Sequence, residues 1–148
     1  MIIVKEIIAT DYAQKMSSLF VEHWQENEKH LSDSKPAPMV EAYKSLEQSG
    51  YLVAFGAFHD DEMIGYCIAF VLPHLHYGFM YGNHDVLFLK KDYRAGSTGL
   101  KLINRVTKKC KELGAKFMLW HSKPGTTMDL LLIKTGAKLE ETVYMKEF

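Results

Sequence analysis

The stretch Val86-Leu87-Phe88-Leu89-Lys90-Lys91-Asp92-Tyr93-Arg94-Ala95-Gly96-Ser97-Thr98-Gly99-Leu100-Lys101-Leu102 decides the fold. It reads as an apolar strand, a short polar turn, a loop of small residues and the first turns of an amphipathic helix. Apolar residues recur at Leu100, Ile103, Val106, Cys110 and Leu113, which predicts a helix over residues 97–113 with one face buried. The order Arg94-x-x-Ser97-x-Gly99 puts small residues where that helix begins. A helix N-terminus presents unpaired N–H groups and the positive end of its dipole, and small residues let a phosphate approach them. Glycine also serves ordinary strand-to-helix turns, so the loop has two readings, a diphosphate site or a plain connection. No Gly-Lys-Ser/Thr follows, which sets aside a P-loop, and the glycine spacing is not that of a dinucleotide-binding turn.

Strands and helices extend on both sides of this unit. Residues 2–8 read as a strand. Thr10-Asp11 opens a helix with Ala13, Met16, Leu19, Phe20 and Trp24 at helical spacing. Residues 31–38 are polar and proline-containing, hence a loop, and a second helix is expected over 39–49, stopped by Gly50. Residues 51–58 and 63–72 read as a hairpin around His59-Asp60-Asp61-Glu62, and residues 78–89 as a third long strand. Gly114 ends the helix that follows, and residues 116–121 form a short buried strand. Thr126-x-x-Asp129 has the spacing of a capping box opening a helix to about residue 135. Residues 138–148 are expected to close the chain as extended structure. The order β-α-α-β-β-β-α-β-α-β describes an α/β protein forming one domain over residues 1–148.

Composition narrows the function classes. The 148 residues are 47% hydrophobic and 24% charged, as in ordinary globular proteins. Eighteen basic and eighteen acidic side chains cancel, which argues against nucleic acid as a partner. The apolar run from Met63 to Leu72 is too short to cross a membrane, and the N-terminus reads as a strand rather than a cleavable signal. Cys67 and Cys110 have neither metal-site nor redox spacing, so reduced core residues in a cytoplasmic protein are expected.

Element order and loop together resemble the GNAT (GCN5-related N-acetyltransferase) superfamily. Arg94-Ala95-Gly96-Ser97-Thr98-Gly99 is similar to its pyrophosphate loop, Gln/Arg-x-x-Gly-x-Gly/Ala, with Ser97 at the usual first glycine. Lys134-Thr135-Gly136-Ala137-Lys138-Leu139-Glu140-Glu141-Thr142-Val143 resembles its closing segment. Glu22-His23-Trp24, Pro73 to Tyr77, Asp85 to Leu89 and Trp120 to Gly125 resemble small members from bacteria and their phages. The resemblance implies a mixed, mostly antiparallel sheet flanked by about four helices, with acetyl-CoA as co-substrate held by residues 94–99. Leu87, Phe88 and Leu89 would pair with pantetheine through their backbone, one N–H polarising the thioester carbonyl. Ser97 can still donate its N–H, and its hydroxyl can cap the helix or touch phosphate. Many members carry a proton-donating tyrosine where this chain has Leu132.

Two residues are expected to carry the chemistry. The family often has an acidic base on the strand before the loop, and Asp85, two residues before Leu87, is expected on that residue's side of it. A carboxylate bonded to local N–H groups is the alternative. His121 ends the following strand, which borders the same site in the family layout, and an imidazole accepts a proton near neutral pH. Its alternative is a histidine satisfied by loop backbone. His74-x-His76 puts two imidazoles on one face of an extended segment. Zinc needs a third protein ligand, none stands at a suitable spacing, and the superfamily uses no metal, so an acceptor-pocket role is expected. Trp24, with Glu22, Glu26 and Glu28, is either an acceptor-side wall or a core aromatic. Lys101, Lys108, Lys109 and Lys111 read as a solvated face. The functional expectation is acetyl transfer from acetyl-CoA to an amine of a small molecule or protein by direct attack, with a homodimer left open. The alternative is a GNAT-fold CoA-binding or protein-interaction module with weak or lost turnover.

Overall fold

The computed structural model describes residues 1–29 and 35–148, so part of the loop expected at 31–38 lies outside the described residues. Strands β1 (Ile2–Glu6), β2 (Leu52–His59), β3 (Glu62–Pro73), β4 (Met80–Leu89) and β5 (Met118–Leu119) form one sheet in sequence order. The first three pairings are antiparallel and β4–β5 is parallel. A parallel neighbour needs a crossover, supplied by helix α3 (Thr98–Glu112). Helices α1 (Ala13–Asn27) and α2 (Val40–Gln48) precede β2, and α4 (Thr127–Lys134) follows β5.

Strands β2 and β3 are almost continuously apolar because helices cover both faces of the sheet. On one face α3 brings Leu102, Val106 and Cys110 against Val53, Phe55, Cys67 and Ala69. On the other, Met16, Leu19, Phe20 and Tyr43 pack with Tyr66, Ile68 and Phe88. The α3 periodicity is realised by Leu102, Ile103, Val106 and Cys110, all buried; Leu113, in the same pattern, lies beyond the last turn and is exposed. Gly114, at φ +92°, takes the left-handed conformation that ends the helix. Glu47 of α2 accepts the N–H of Ala9 and both the N–H and hydroxyl of Thr10, tying α2 to the turn that enters α1. Both cysteines are buried free thiols, and burial pushes Cys110 up to about 11.

Three expectations are corrected. The strand foreseen over 116–121 pairs with β4 only at Met118 and Leu119. Residues 138–148 form no strand among the described residues; each is exposed, because strand propensity needs a neighbouring edge before it becomes a ladder. At the start of α4, Thr126 makes no side-chain cap: its hydroxyl bonds Lys123 O, and Asp129 instead accepts the N–H of Gly125 and the Ser122 hydroxyl.

A β-bulge decides the face on which each β4 residue stands. Ile68 and Ala69 are consecutive in β3, but their partners are Val86 and His84, so Asp85 is an extra residue in β4. Leu87 and Leu89 consequently face α3, while Val86 and Phe88 face α1 and α2. Asp85 meets Tyr43 of α2, so it does not share the side of Leu87 as simple alternation requires.

Candidate active site

Beyond Asn83 and Leu119, β4 and β5 part. Lys90 N–H donates to Ile64 O at 2.9 Å, which makes that position of the antiparallel ladder a hydrogen-bonded one. Since such positions alternate, Phe88 and Val86 also spend their backbone on β3. Leu87 and Leu89 turn theirs the other way, into the fork. The Leu89 carbonyl accepts Arg94 Nε at 2.7 Å, leaving the Leu89 N–H and both polar groups of Leu87 facing the gap. Of the three residues expected to offer backbone to pantetheine, Leu87 and Leu89 are so placed and Phe88 is not.

Past β4 the chain makes one 3₁₀ turn, Lys91–Tyr93, and enters α3. Among the described residues, the N–H groups of Ala95 to Leu100 find no acceptor, and Ser97 makes no side-chain cap. A side chain built at Gly96 would meet nothing within 4 Å, whereas one at Gly99 would lie 3.3 Å from Leu131 of α4. Gly96 therefore keeps the loop open to a ligand, and Gly99 lets α4 approach. Arg94 is engaged by protein: besides Leu89 O it holds Glu26 of α1 through both terminal nitrogens and lies 5.6 Å over the Phe88 ring. Its bond to Glu26 holds that carboxyl below the usual range.

At the fork, His121 Nε2 lies 3.0 Å from Asn83 Oδ1. With that oxygen accepting, the imidazole proton sits on Nε2 and Nδ1 keeps a lone pair. Asp85 accepts the Tyr43 hydroxyl at 2.6 Å; burial raises its pKa above the ordinary carboxylate value, against the lowering effect of that bond. Burial, and then the bond to Asp85, raise Tyr43 in turn. Asn83, just before the bulge, and Asp85 stand on the face of α1 and α2, so His121 and Asp85 flank one region without touching. An apolar groove of about 140 Å³ between α1 and α2 reaches Tyr43 and Ile68.

His84 was not singled out in the sequence. It is 7% exposed, packs 5.1 Å from Trp120 and accepts the His121 N–H on Nδ1 at 3.4 Å. Nε2 then carries the proton and has no partner among the described residues. Burial lowers its pKa to about 4, so the ring is neutral at pH 7. The available signal was the polar run Asn83-His84-Asp85 inside an otherwise apolar strand.

The other expected residues lie elsewhere. His74 and His76 occupy the β3–β4 turn rather than one face of an extended segment, at the far end of β4 from the loop. His74 sits among Tyr77, Phe79, Tyr81 and Phe117. No metal-binding cluster of His, Cys, Asp and Glu occurs among the described residues. Trp24 is buried, as a core aromatic is, while its neighbour His23 stacks on Phe88 at 5.3 Å. Leu132 is buried, Ser122 is bonded to Asp129, and Tyr144 is 90% exposed on the C-terminal segment. On the α3 surface Lys109 pairs with Glu6 at 3.0 Å and Lys108 with Glu112 at 3.8 Å, lining a cleft that holds none of the residues above.

Comparison with known proteins bears on the family and the fold. The family described as Acetyltransferase (GNAT) matches residues 13–128. No curated protein matches the sequence significantly. Among solved structures, a ribosomal-protein-alanine N-acetyltransferase from Brucella melitensis biovar Abortus 2308 is 18% identical, with a TM-score of 0.77, over 100% of this chain and 98% of that one. An aminoglycoside acetyltransferase from an uncultured soil metagenomic sample is 15% identical, with a TM-score of 0.76, over 99% and 97%. A transcriptional regulator from Bacillus halodurans C-125 is 18% identical, with a TM-score of 0.75, over all of both chains. At such identities the likeness is one of fold, and the third shows how widely that fold is used.

Proposed function

The chain belongs to the GNAT acetyltransferase family, and from that premise we propose that it transfers an acetyl group from acetyl-CoA to an amine by direct attack at the fork between β4 and β5. The observation that supports this most is the run of unpaired N–H groups from Ala95 to Leu100 around an open Gly96, following directly on the outward-facing backbone of Leu87 and Leu89. The first set suits a diphosphate and the second an extended amide-bearing arm. Together they fit acetyl-CoA, whose thioester supplies the acyl group.

In this reading a backbone N–H facing the fork stabilises the oxyanion as the amine nitrogen bonds to the carbonyl carbon. Asp85 with Tyr43 orients the incoming ammonium, His121 Nδ1 takes the proton it sheds to become a free amine, and the second proton, lost once the nitrogen has bonded to the carbonyl carbon, passes to water. The C–S bond then breaks and the thiolate leaves; its pKa, near the roughly 8.5 of a free thiol, makes a protein acid dispensable, and water protonates it. Leu132 thereby ceases to be an obstacle. The groove between α1 and α2 favours an acceptor with an apolar portion beside its amine. Thermal unfolding with and without acetyl-CoA tests the first half: a ligand at a hundred times its Kd adds roughly 2.7 kcal/mol, and no shift at millimolar concentration removes the proposal. Release of free CoA across a panel of small amines and peptides tests the second. A CoA-binding module without turnover is the second reading, favoured by Leu132, a buried side chain with no proton to give, at the place of the family's tyrosine; stabilisation by CoA with no thiol release from any acceptor would support it.

A further inference from the structure

Strand β1 is an edge of the sheet, and among the described residues nothing pairs with its outer side. Ile7 N–H donates to Ala54 O at 3.0 Å, so the odd-numbered residues of β1 bond inward to β2. Ile2, Val4 and Glu6 therefore turn their N–H and C=O groups outward. Their side chains stand on the α3 face, where Ile2 and Val4 join the core and Glu6 meets Lys109. Lys5 points to the other layer, its Nζ 4.7 Å from the centre of the Phe58 ring. Between this edge and α3 lies a cleft of about 340 Å³. Arg105, Lys108, Lys109 and Glu112 form one stripe of the helix along it. Lys109 is held by Glu6 and Lys108 loosely by Glu112, while Arg105 has no counter-ion among the described residues.

We propose that β1 and this stripe form a docking edge for an extended acidic segment of a partner protein, which adds to the sheet as a further strand beside β1. An added strand bonds to the outward groups of Val4 and Glu6 and points every second side chain toward α3. Such side chains lie roughly 6.8 Å apart. Arg105 and Lys109, four residues apart on the helix, are separated by about 6.0 Å, so alternate carboxylates keep step with the cations. The helix descends from the Leu89 end of the sheet to Gly82, beside Cys110, in the same sense as β1. Arg105 therefore lies on the Val4 side of Lys109, and a carboxylate opposite Val4 meets the unpaired guanidinium. A nucleic acid would offer charge to the stripe but nothing that repeats the edge's alternation of N–H and C=O. The edge is five residues long, so the contact belongs with transient ones, below about 1,200 Å². It shares no residue with the fork and is independent of whether acetyl transfer occurs.

The probe is a dye-labelled peptide in which glutamate alternates with valine and threonine, compared by anisotropy with a counterpart carrying lysine at every glutamate. The acidic peptide should bind with a micromolar Kd that weakens several-fold as salt is raised, because exposed pairs are screened. The lysine peptide should not bind. Arg105→Glu, at an exposed position, should weaken the acidic peptide at least about tenfold with an unchanged far-UV spectrum. Bound peptide should slow amide exchange at Val4 and Glu6 and leave Lys5, already bonded to β2, as it was. Val4→Pro removes only an outward donor and should abolish binding; the wild-type exchange measurement decides even where that variant does not fold. Five results would each overturn the proposal: no saturable binding, equal binding of the lysine peptide, indifference to Arg105→Glu, unchanged exchange at Val4 and Glu6, or an oligothymidylate that binds more tightly than the peptide and displaces it.

Discussion

Replacing His84 by asparagine isolates the cost of keeping an imidazole neutral inside the fork. The ordinary histidine value is 6.5 and burial lowers this one to about 4, so the unfolded chain binds the proton more tightly than the folded one. A depressed folded-state pKa stabilises above the unfolded value and is lost as pH falls toward the folded value. Integrating between those values, His84 costs the folded state about 2 kcal/mol at pH 5 and about 3 kcal/mol at pH 4, relative to pH 7.5. Asparagine offers an oxygen near the place of Nδ1, which preserves an acceptor for the His121 N–H and removes the titration. Urea unfolding followed by tryptophan fluorescence at pH 7.5, 6 and 5 measures the difference. The wild type should lose about 2 kcal/mol more than the variant between pH 7.5 and 5, a gap of about 4–8 °C in Tm. His23 is also lowered by burial, but it is present in both proteins and cancels. Parallel stability curves for the two proteins would refute the neutral, buried assignment of His84.

Gly96→Val should leave the fold within about 0.5 kcal/mol of wild type, since the new side chain enters open space, while weakening acetyl-CoA in a thermal-shift titration. Gly99→Val should instead cost about 1 kcal/mol of stability by pressing on Leu131, read as a lower urea midpoint. His121→Ala should lower kcat by about 10²–10⁴ with acetyl-CoA affinity retained; if the rate survives there and collapses in Asp85→Asn, the base is Asp85. Tyr43→Phe removes the bond that holds Asp85 down, so any activity limb set by Asp85 ionisation should move to higher pH, which a rate–pH profile would reveal.

Much of the layer structure was legible because it obeys simple periodicities. The face Leu102-Ile103-Val106-Cys110 and the glycine at 114 define α3 from local sequence alone, and the apolar runs of β2 and β3 mark strands covered on both sides. Features made by one strand's fit to another were not legible. The extra residue at Asp85 bears no glycine or proline to announce it and exists only in the register with β3. His84 escaped notice for the same reason: alternation alone cannot say that it stands behind the fork, against Trp120. At His74-x-His76 alternation suggests one extended face, where the chain instead turns. The segment 138–148 shows the reverse case, strand chemistry legible in sequence without a neighbour to complete it.

The bulge also makes the length of β4 a coded quantity. Strand residues are read in two alternating frames, inside one layer or the other, and Asp85 is the single position at which the frame changes. Deleting that residue would not invert the strand: Met80, Gly82 and His84 would stay in phase with Leu87 and Leu89, the glycine still facing Cys110 and Met118, and only the offset that turns Asp85 toward Tyr43 would go. The extra residue is thus a reserve of length: β4 can lose one position at 85 and keep both of its layers.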